Sequence, residues 1–98
     1  MEALLRCQVS LGMFSGEFAV RGKAANGVEF SLFVAEDFVE PGMPVTEGKS
    51  VDGWLRVEVL AREGALMLVR LPAETFENGR TVTVRDIEVE IRPRRETV

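Results

Sequence analysis

The residues able to do chemistry in this chain are few. Its 98 residues include no histidine and no tyrosine. That removes imidazole-activated nucleophiles, imidazole metal ligands and tyrosine acids. The one cysteine, Cys7, stands in an apolar row, where a free thiol behaves as a small inert hydrophobe. Ser15, Ser31 and Ser50 have no histidine base. Lys23 and Lys49 sit beside turns, where an amine stays solvated. Asp37 and Glu40 would work as an acid–base pair only inside a cleft. Neither G-x-G-x-x-G nor a P-loop is present. The expectation is a protein without catalytic residues, metal or cofactor.

Charge offers two further candidates. From Glu36 to Gly53 the acids are Glu36, Asp37, Glu40, Glu47 and Asp52 against Lys49, a net −4 that equals the charge of the whole chain. A calcium ion needs about six to eight oxygens at defined spacing, and no D-x-D-x-D-G pattern occurs. The stretch reads as a solvated acidic loop or a docking face for a basic partner. At the other end, Arg92-Pro93-Arg94-Arg95 lies between Glu90 and Glu96 and reads as a solvated terminus. A pI of about 4.9 argues against a phosphate-backbone reader. The exposed aromatics of a base-stacking surface are also missing.

The elements that must position these residues alternate with period two. Leu5, Cys7, Val9 and Leu11 make the first apolar row. Phe18 and Val20 follow, then Val28, Phe30, Leu32 and Val34. Leu55, Val57, Val59 and Ala61 precede Ala65, Met67, Val69 and Leu71. Val82 and Val84 form a short row, and Ile87, Val89 and Ile91 the last. Such rows are half-buried strands, and no internal repeat is evident among them. Because a one-residue slip turns a row outward, the turns can be tested against the rows. A three-residue loop Ala25-Asn26-Gly27 pairs Ala24 with Val28, Val20 with Leu32 and Phe18 with Val34. A loop Arg62-Glu63-Gly64 pairs Ala61 with Ala65, Val59 with Met67, Val57 with Val69 and Leu55 with Leu71. Each places a glycine where positive φ is needed.

The sequence allows one helical turn near 35–40, ended by Pro41 and Gly42. Residues 41–53 form the longest loop. The row changes phase between Val84 and Ile87, so Arg85-Asp86 must be a bulge or corner. The expected fold is all-β: a small six- or seven-stranded barrel or compact sandwich built from antiparallel hairpins. Its order of three meandering strands, a crossover and further strands is similar to the OB architecture, which by itself gives no function.

This register leaves an unexplained surface. Trp54, Leu60, Leu66 and Leu68 lie opposite the apolar row, with Arg56 and Arg70 among them. The chain's own tail, the 35–53 loop, a protein partner or a second copy would have to cover them. The functional expectation is therefore an interaction or assembly module whose partner interface is Trp54, Leu60, Leu66, Leu68, Arg56 and Arg70. Alternatives are a small-ligand or nucleotide-binding barrel with the 41–53 loop as a rim, and an OB-like nucleic-acid binder. Ser50-Val51-Asp52-Gly53, ahead of a strand, resembles the S-x-x-G part of the motif of PilZ domains. That resemblance implies a cyclic-dinucleotide-binding barrel. Gly48 stands where that family carries an acid or amide, and no R-x-x-x-R pair occurs, so the binding residues do not carry over.

The bulk numbers fit one globular domain: 46% hydrophobic and 29% charged residues. A single domain over 1–92 with a polar tail at 93–98 is expected. One cysteine cannot close an internal disulfide. No signal-peptide pattern, membrane-length apolar run or N-x-S/T site is present, which makes the cytoplasm the expected compartment.

Overall fold

The computed structural model describes residues 1–77 and 79–93. Its strands are β1 (Glu2–Leu11), β2 (Glu17–Lys23), β3 (Glu29–Ala35), β4 (Val39–Pro41), β5 (Val51–Glu63), β6 (Leu66–Thr75), β7 (Gly79–Arg85) and β8 (Val89–Arg92). Single 3-10 turns at Glu36–Phe38 and Asp86–Glu88 precede β4 and β8. The strands form one antiparallel sheet in the order β3-β2-β1-β5-β6-β7, with β4 added to β5 and β8 to β1. The fold is all-β, a sheet curled into a half-barrel.

The period-two rows explain the curl. Inward residues of every long strand, among them Leu5, Val9, Val20, Leu32, Leu55, Val69 and Val84, meet in one buried cluster. No polar or charged residue is buried among the described residues, as an apolar interior requires. The two ends of the sheet are drawn together across the cluster. Phe76 N donates to Ser31 O at 2.9 Å, and Ala25 N donates to Thr83 O at 2.8 Å. The Phe33 and Phe76 rings meet edge to face, 5.1 Å between centroids.

The first hairpin forms in the expected register, with Val20 opposite Leu32 and Phe18 opposite Val34. Ala24 N donates to Val28 O, and Gly27 takes φ +86°. The second hairpin differs. Glu63 pairs with Leu66, so Gly64-Ala65 is a two-residue turn with Gly64 at φ +58°. Such a turn matches the twist of its strands, but it would set inward residues opposite outward ones. A bulge between Val59 and Ala61 restores the phase and leaves Val59 opposite Val69. Leu55 accordingly pairs with Leu5 and Val39 rather than with Leu71.

Other expectations are corrected. There are eight strands, because the short β4 adds to the seven apolar rows. Residues 41–53 are not one loop: Pro41 ends β4 and Val51 opens β5, which leaves 42–50 as the connection. The turn expected near 35–40 is the 3-10 turn Glu36–Phe38, and the corner at Arg85-Asp86 is the 3-10 turn that passes the chain from β7 to β8. Leu11, Val28, Ile87 and Ile91 leave their rows and are exposed, since each sits at a strand end, in a turn or on the short β8. Residues 94–98 lie outside the described residues.

The expectation of no internal repeat is also overturned. The order β1-β2-β3-turn-β4 recurs as β5-β6-β7-turn-β8. One constant offset carries Ala35 to Arg85, Glu36 to Asp86 and Val39 to Val89. The pairings follow it. Leu5 lies opposite Leu55, a pair that maps onto itself, and Arg6 opposite Trp54 maps onto Arg56 opposite Leu4. Leu5 opposite Val89 maps onto Leu55 opposite Val39. The halves are thus related by an approximate two-fold through the β1–β5 seam, and each half lends its last strand to the other. The match breaks at Leu60, where the bulge inserts one residue into β5, and in β6, which runs one residue out of step, so that Val69 rather than Arg70 faces Val82.

The seam is close-packed at Gly53, where a Cβ would lie 2.8 Å from Val9 Cγ2 and 3.0 Å from Glu40 O. Gly53→Ala should therefore lower stability by about 1–3 kcal/mol, the usual effect of overpacking, measured by urea unfolding. An unchanged midpoint would show that β4 does not press on β5 as described.

Candidate functional site

Of the expected interface residues, Trp54 is held most firmly by the chain itself. It is half-buried on the outer face of β5, opposite Arg6 of β1 and Glu40 of β4. The Arg6 guanidinium carbon lies 5.5 Å from the ring centroid, and that of Arg92 lies 5.7 Å away. Two cations on one indole face it with favourable quadrupole contacts. Arg92 also donates to Glu90 at 2.8 Å and to Glu40 at 3.0 Å. These partners, Glu90 first, raise the guanidinium pKa above its ordinary value. Because Glu40 is on β4 and Arg92 on β8, the side chain spans the two strands between them. Leu4, opposite Arg56 and Glu90 on this outer face, is only 1% exposed. Here Arg6 and Arg92 cover the Trp54 indole, and the tail at 94–98 that could also cover this face lies outside the described residues.

The remaining residues occupy the other end of β5. Leu60 marks the bulge and is 38% exposed; Leu66 is 44% exposed, and Leu68 is half-buried. Trp54 and Leu60 are six residues apart on one strand, roughly 20 Å. The expected patch therefore divides into a closed arginine–tryptophan face and an open leucine face on the β5–β6 hairpin. Arg56 and Arg70 lie between them, Arg56 paired with Glu2 at 3.2 Å and Arg70 with Glu58 at 3.7 Å. Such exposed pairs contribute little to stability.

The surface is indented in three places. A groove of about 650 Å³ runs along β5 where β1 ends, floored by Ala3, Val57, Val59 and Ile91. A cleft of about 200 Å³ opens along β1 between β2 and β8, with Arg6, Arg21, Lys23 and Glu29 at its walls. A second cleft, about 250 Å³, opens along β5 between β4 and β6, beside Arg56, Arg70 and Arg80. The two clefts are images under the two-fold: Arg6 maps to Arg56, Cys7 to Val57 and Gln8 to Glu58. In the second, Arg80 donates to the carbonyls of Leu71 and Pro72 at 3.2 and 3.3 Å, which serves β6 where its pairing with β7 lapses.

Candidate chemistry does not converge. Among the described residues no group of three or more acidic or cysteine side chains is placed to hold a metal. Glu36, Asp37 and Glu47 stay exposed, Glu40 bonds Arg92, and Asp52 accepts a hydrogen bond from Gln8. Lys49 belongs to a turn closed by its N–H on Thr46 O. Two polar contacts escaped the sequence reading. One is the Arg92 clasp; the other is Glu77, whose carboxylate accepts the Ser31 N–H and hydroxyl at 2.7 and 2.8 Å. Those bonds, the backbone one first, hold Glu77 below the usual carboxylate range. Cys7 is buried and free. Desolvation, with a smaller contribution from the Asp52 charge, pushes its thiol up to about 12.

No protein-family model, curated protein or solved structure matches the chain. No described helix is long and apolar enough to cross a membrane.

Two outcomes follow. Arg92→Ala should shift Trp54 emission to the red and cost about 1 kcal/mol of stability; an unshifted spectrum would remove the clasp. The folded chain keeps the Cys7 proton that the unfolded chain loses. The resulting stability is whole below pH 9 and declines as pH rises from 9 toward about 12, by about 1.4 kcal/mol per pH unit. Urea unfolding at pH 8 and pH 11 should show a steeper alkaline loss than Cys7→Ala shows; parallel losses would assign it elsewhere.

Proposed function

We propose that this chain is a non-catalytic interaction module that associates with a second copy through the outer face of the β5–β6 hairpin. The observation carrying this reading is the open leucine face: Leu60 and Leu66 are exposed beside Leu68, and no described element covers them. A single exposed leucine is ordinary; clustered ones on a hairpin face are what self-association conceals. Arg56 and Arg70, bound only by exposed pairs, are available to exchange Glu2 and Glu58 for carboxylates of the other copy.

Sedimentation equilibrium tests it. The chain should dimerise with concentration, and Leu60→Lys with Leu66→Lys should weaken the dimer at least tenfold. Both side chains are exposed, so the fold is retained. A monomer at every concentration would end this reading.

A second reading rests on the β2–β8 cleft, where Arg21 and Lys23 take no carboxylate partner among the described residues while Arg6 bonds Glu88 loosely at 3.8 Å. This arrangement suits a small phosphate or nucleotide. A thermal-shift series with mono- and dinucleotides should show a rise that Arg21→Ala abolishes.

A further inference from the structure

The two arginine-walled clefts are images under the two-fold, but their cations are not equally engaged. Between β4 and β6, Arg80 donates to the Leu71 and Pro72 carbonyls, Arg56 meets Glu2 at 3.2 Å and Arg70 meets Glu58 at 3.7 Å. Between β2 and β8, Arg21 and Lys23 meet no carboxylate at ion-pair distance among the described residues, and Arg6 reaches Glu88 only at 3.8 Å. This cleft exists because β2 pairs with β1 from Gln8 onward and β8 pairs with it up to Leu5. Arg6 and Cys7 are left without a paired strand on that edge. The described chain leaves β8 at the far end from the cleft: Arg92 stands opposite Glu2, about 13 Å from Arg6 along β1.

Arg21 lies opposite Gln8, which sets it diagonally across from Arg6, with Cα atoms about 7–8 Å apart. Two guanidiniums rooted at that spacing can converge on one phosphate, each offering a fork of N–H donors. At about 200 Å³ the cleft is smaller than the roughly 300–1,000 Å³ that enclose a drug-sized ligand. It takes a phosphate group and leaves whatever carries that group outside. Glu29, opposite Lys23, and Glu88 stand against the three cations, so the bound anion must displace Glu88 from Arg6. A phosphate does so with more charge and more acceptor oxygens than one carboxylate at long range.

Arg6 has a second engagement. Its guanidinium carbon lies 5.5 Å from the centroid of Trp54, which pairs with it across one edge of β1, while the cleft opens on the other edge. The guanidinium cannot turn fully into the cleft and keep its place on the indole. We propose that a phosphate group bound by Arg21 and Lys23 draws Arg6 off Trp54, so that filling the cleft uncovers part of the indole for a partner. This rests on the reading of the cleft as a phosphate site.

Trp54 is the one tryptophan and there is no tyrosine, so emission reports this contact directly. Inorganic pyrophosphate, which does not absorb in the near ultraviolet, is titrated into the full chain and followed by emission and by calorimetry. Trp54 emission should shift to the red and saturate in step with the heat of binding. Arg21→Ala should weaken binding at least tenfold. Glu88→Gln should tighten it by freeing Arg6. Arg6→Ala should start red-shifted and stay unmoved by pyrophosphate. Arg6 and Arg21 are exposed, so both variants should melt as the wild type does without ligand. A nucleoside diphosphate compared by calorimetry separates the sources: tighter binding than pyrophosphate makes the group part of a nucleotide, equal binding a free anion, and either supports the site. Binding that Arg21→Ala weakens while Trp54 emission never moves overturns the coupling and leaves the phosphate reading of the cleft standing. A shift that persists in Arg6→Ala overturns the coupling as well. No heat of binding, or a response that sodium chloride reproduces at equal ionic strength, overturns both.

Discussion

The antiparallel seam between β1 and β5 is the constraint on which the rest depends. Leu5 and Leu55 lie opposite one another there, fully buried. Every other strand is attached to one of these two, directly or, for β3 and β7, through β2 and β6. β1 carries β2 on one part of its outer edge and β8 on another; β5 carries β6 and β4 likewise. The residues left between these attachments are where the two arginine-walled clefts open. The indentations thus follow from dividing one long edge between two shorter strands. Burial of the apolar rows on the inner side supplies the driving force, and the outer side is left to arginine–carboxylate pairs that cost little to rearrange.

The outer face shows how one strand can carry two surfaces of different character. At Trp54, arginines from both flanks close over the indole, and Leu4 is buried with it. Past the bulge at Leu60, Arg62 turns to Asp86 instead, and Leu60 and Leu66 stay exposed. Long cationic side chains bury their stems along apolar surface while the charged ends stay wet. A tryptophan on an exposed strand is therefore compatible with a monomer. The leucine face and the β2–β8 cleft carry the functional readings instead.

Much of the fold was legible in the sequence. Alternation located seven of the eight strands in outline, and the Ala25-Asn26-Gly27 turn yielded a register that holds residue by residue, because matching rows admit only one parity. The same argument failed at Gly64. A bulge can reset parity, so an inward–outward mismatch at a turn does not exclude that turn when the strand beyond it has an extra residue. The short β4 was not separable from the turn before it, since three residues do not establish a period. The repeat had left a trace in Val34-Ala35-Glu36-x-x-Val39-Glu40 against Val84-Arg85-Asp86-x-x-Val89-Glu90. That trace was concealed because the halves share positions of burial and turning more than residue identities. Of the interface, the outward placement of Leu60, Leu66 and Leu68 was legible. The clasp on Trp54 was not, because Arg92 comes from a strand far along the chain and reaches it by crossing two others.

The approximate two-fold has one more consequence. Each half meets the other along the antiparallel β1–β5 seam and where the β2–β3 hairpin nears Phe76 and Thr83, and gives up its final short strand to its counterpart. The contacts would be the same if the counterpart belonged to another molecule. Only the 42–50 connection makes the arrangement intramolecular. Its length therefore selects between a closed monomer and an intertwined pair that exchanges halves, and shortening it would favour the exchanged form without altering any residue of the interior.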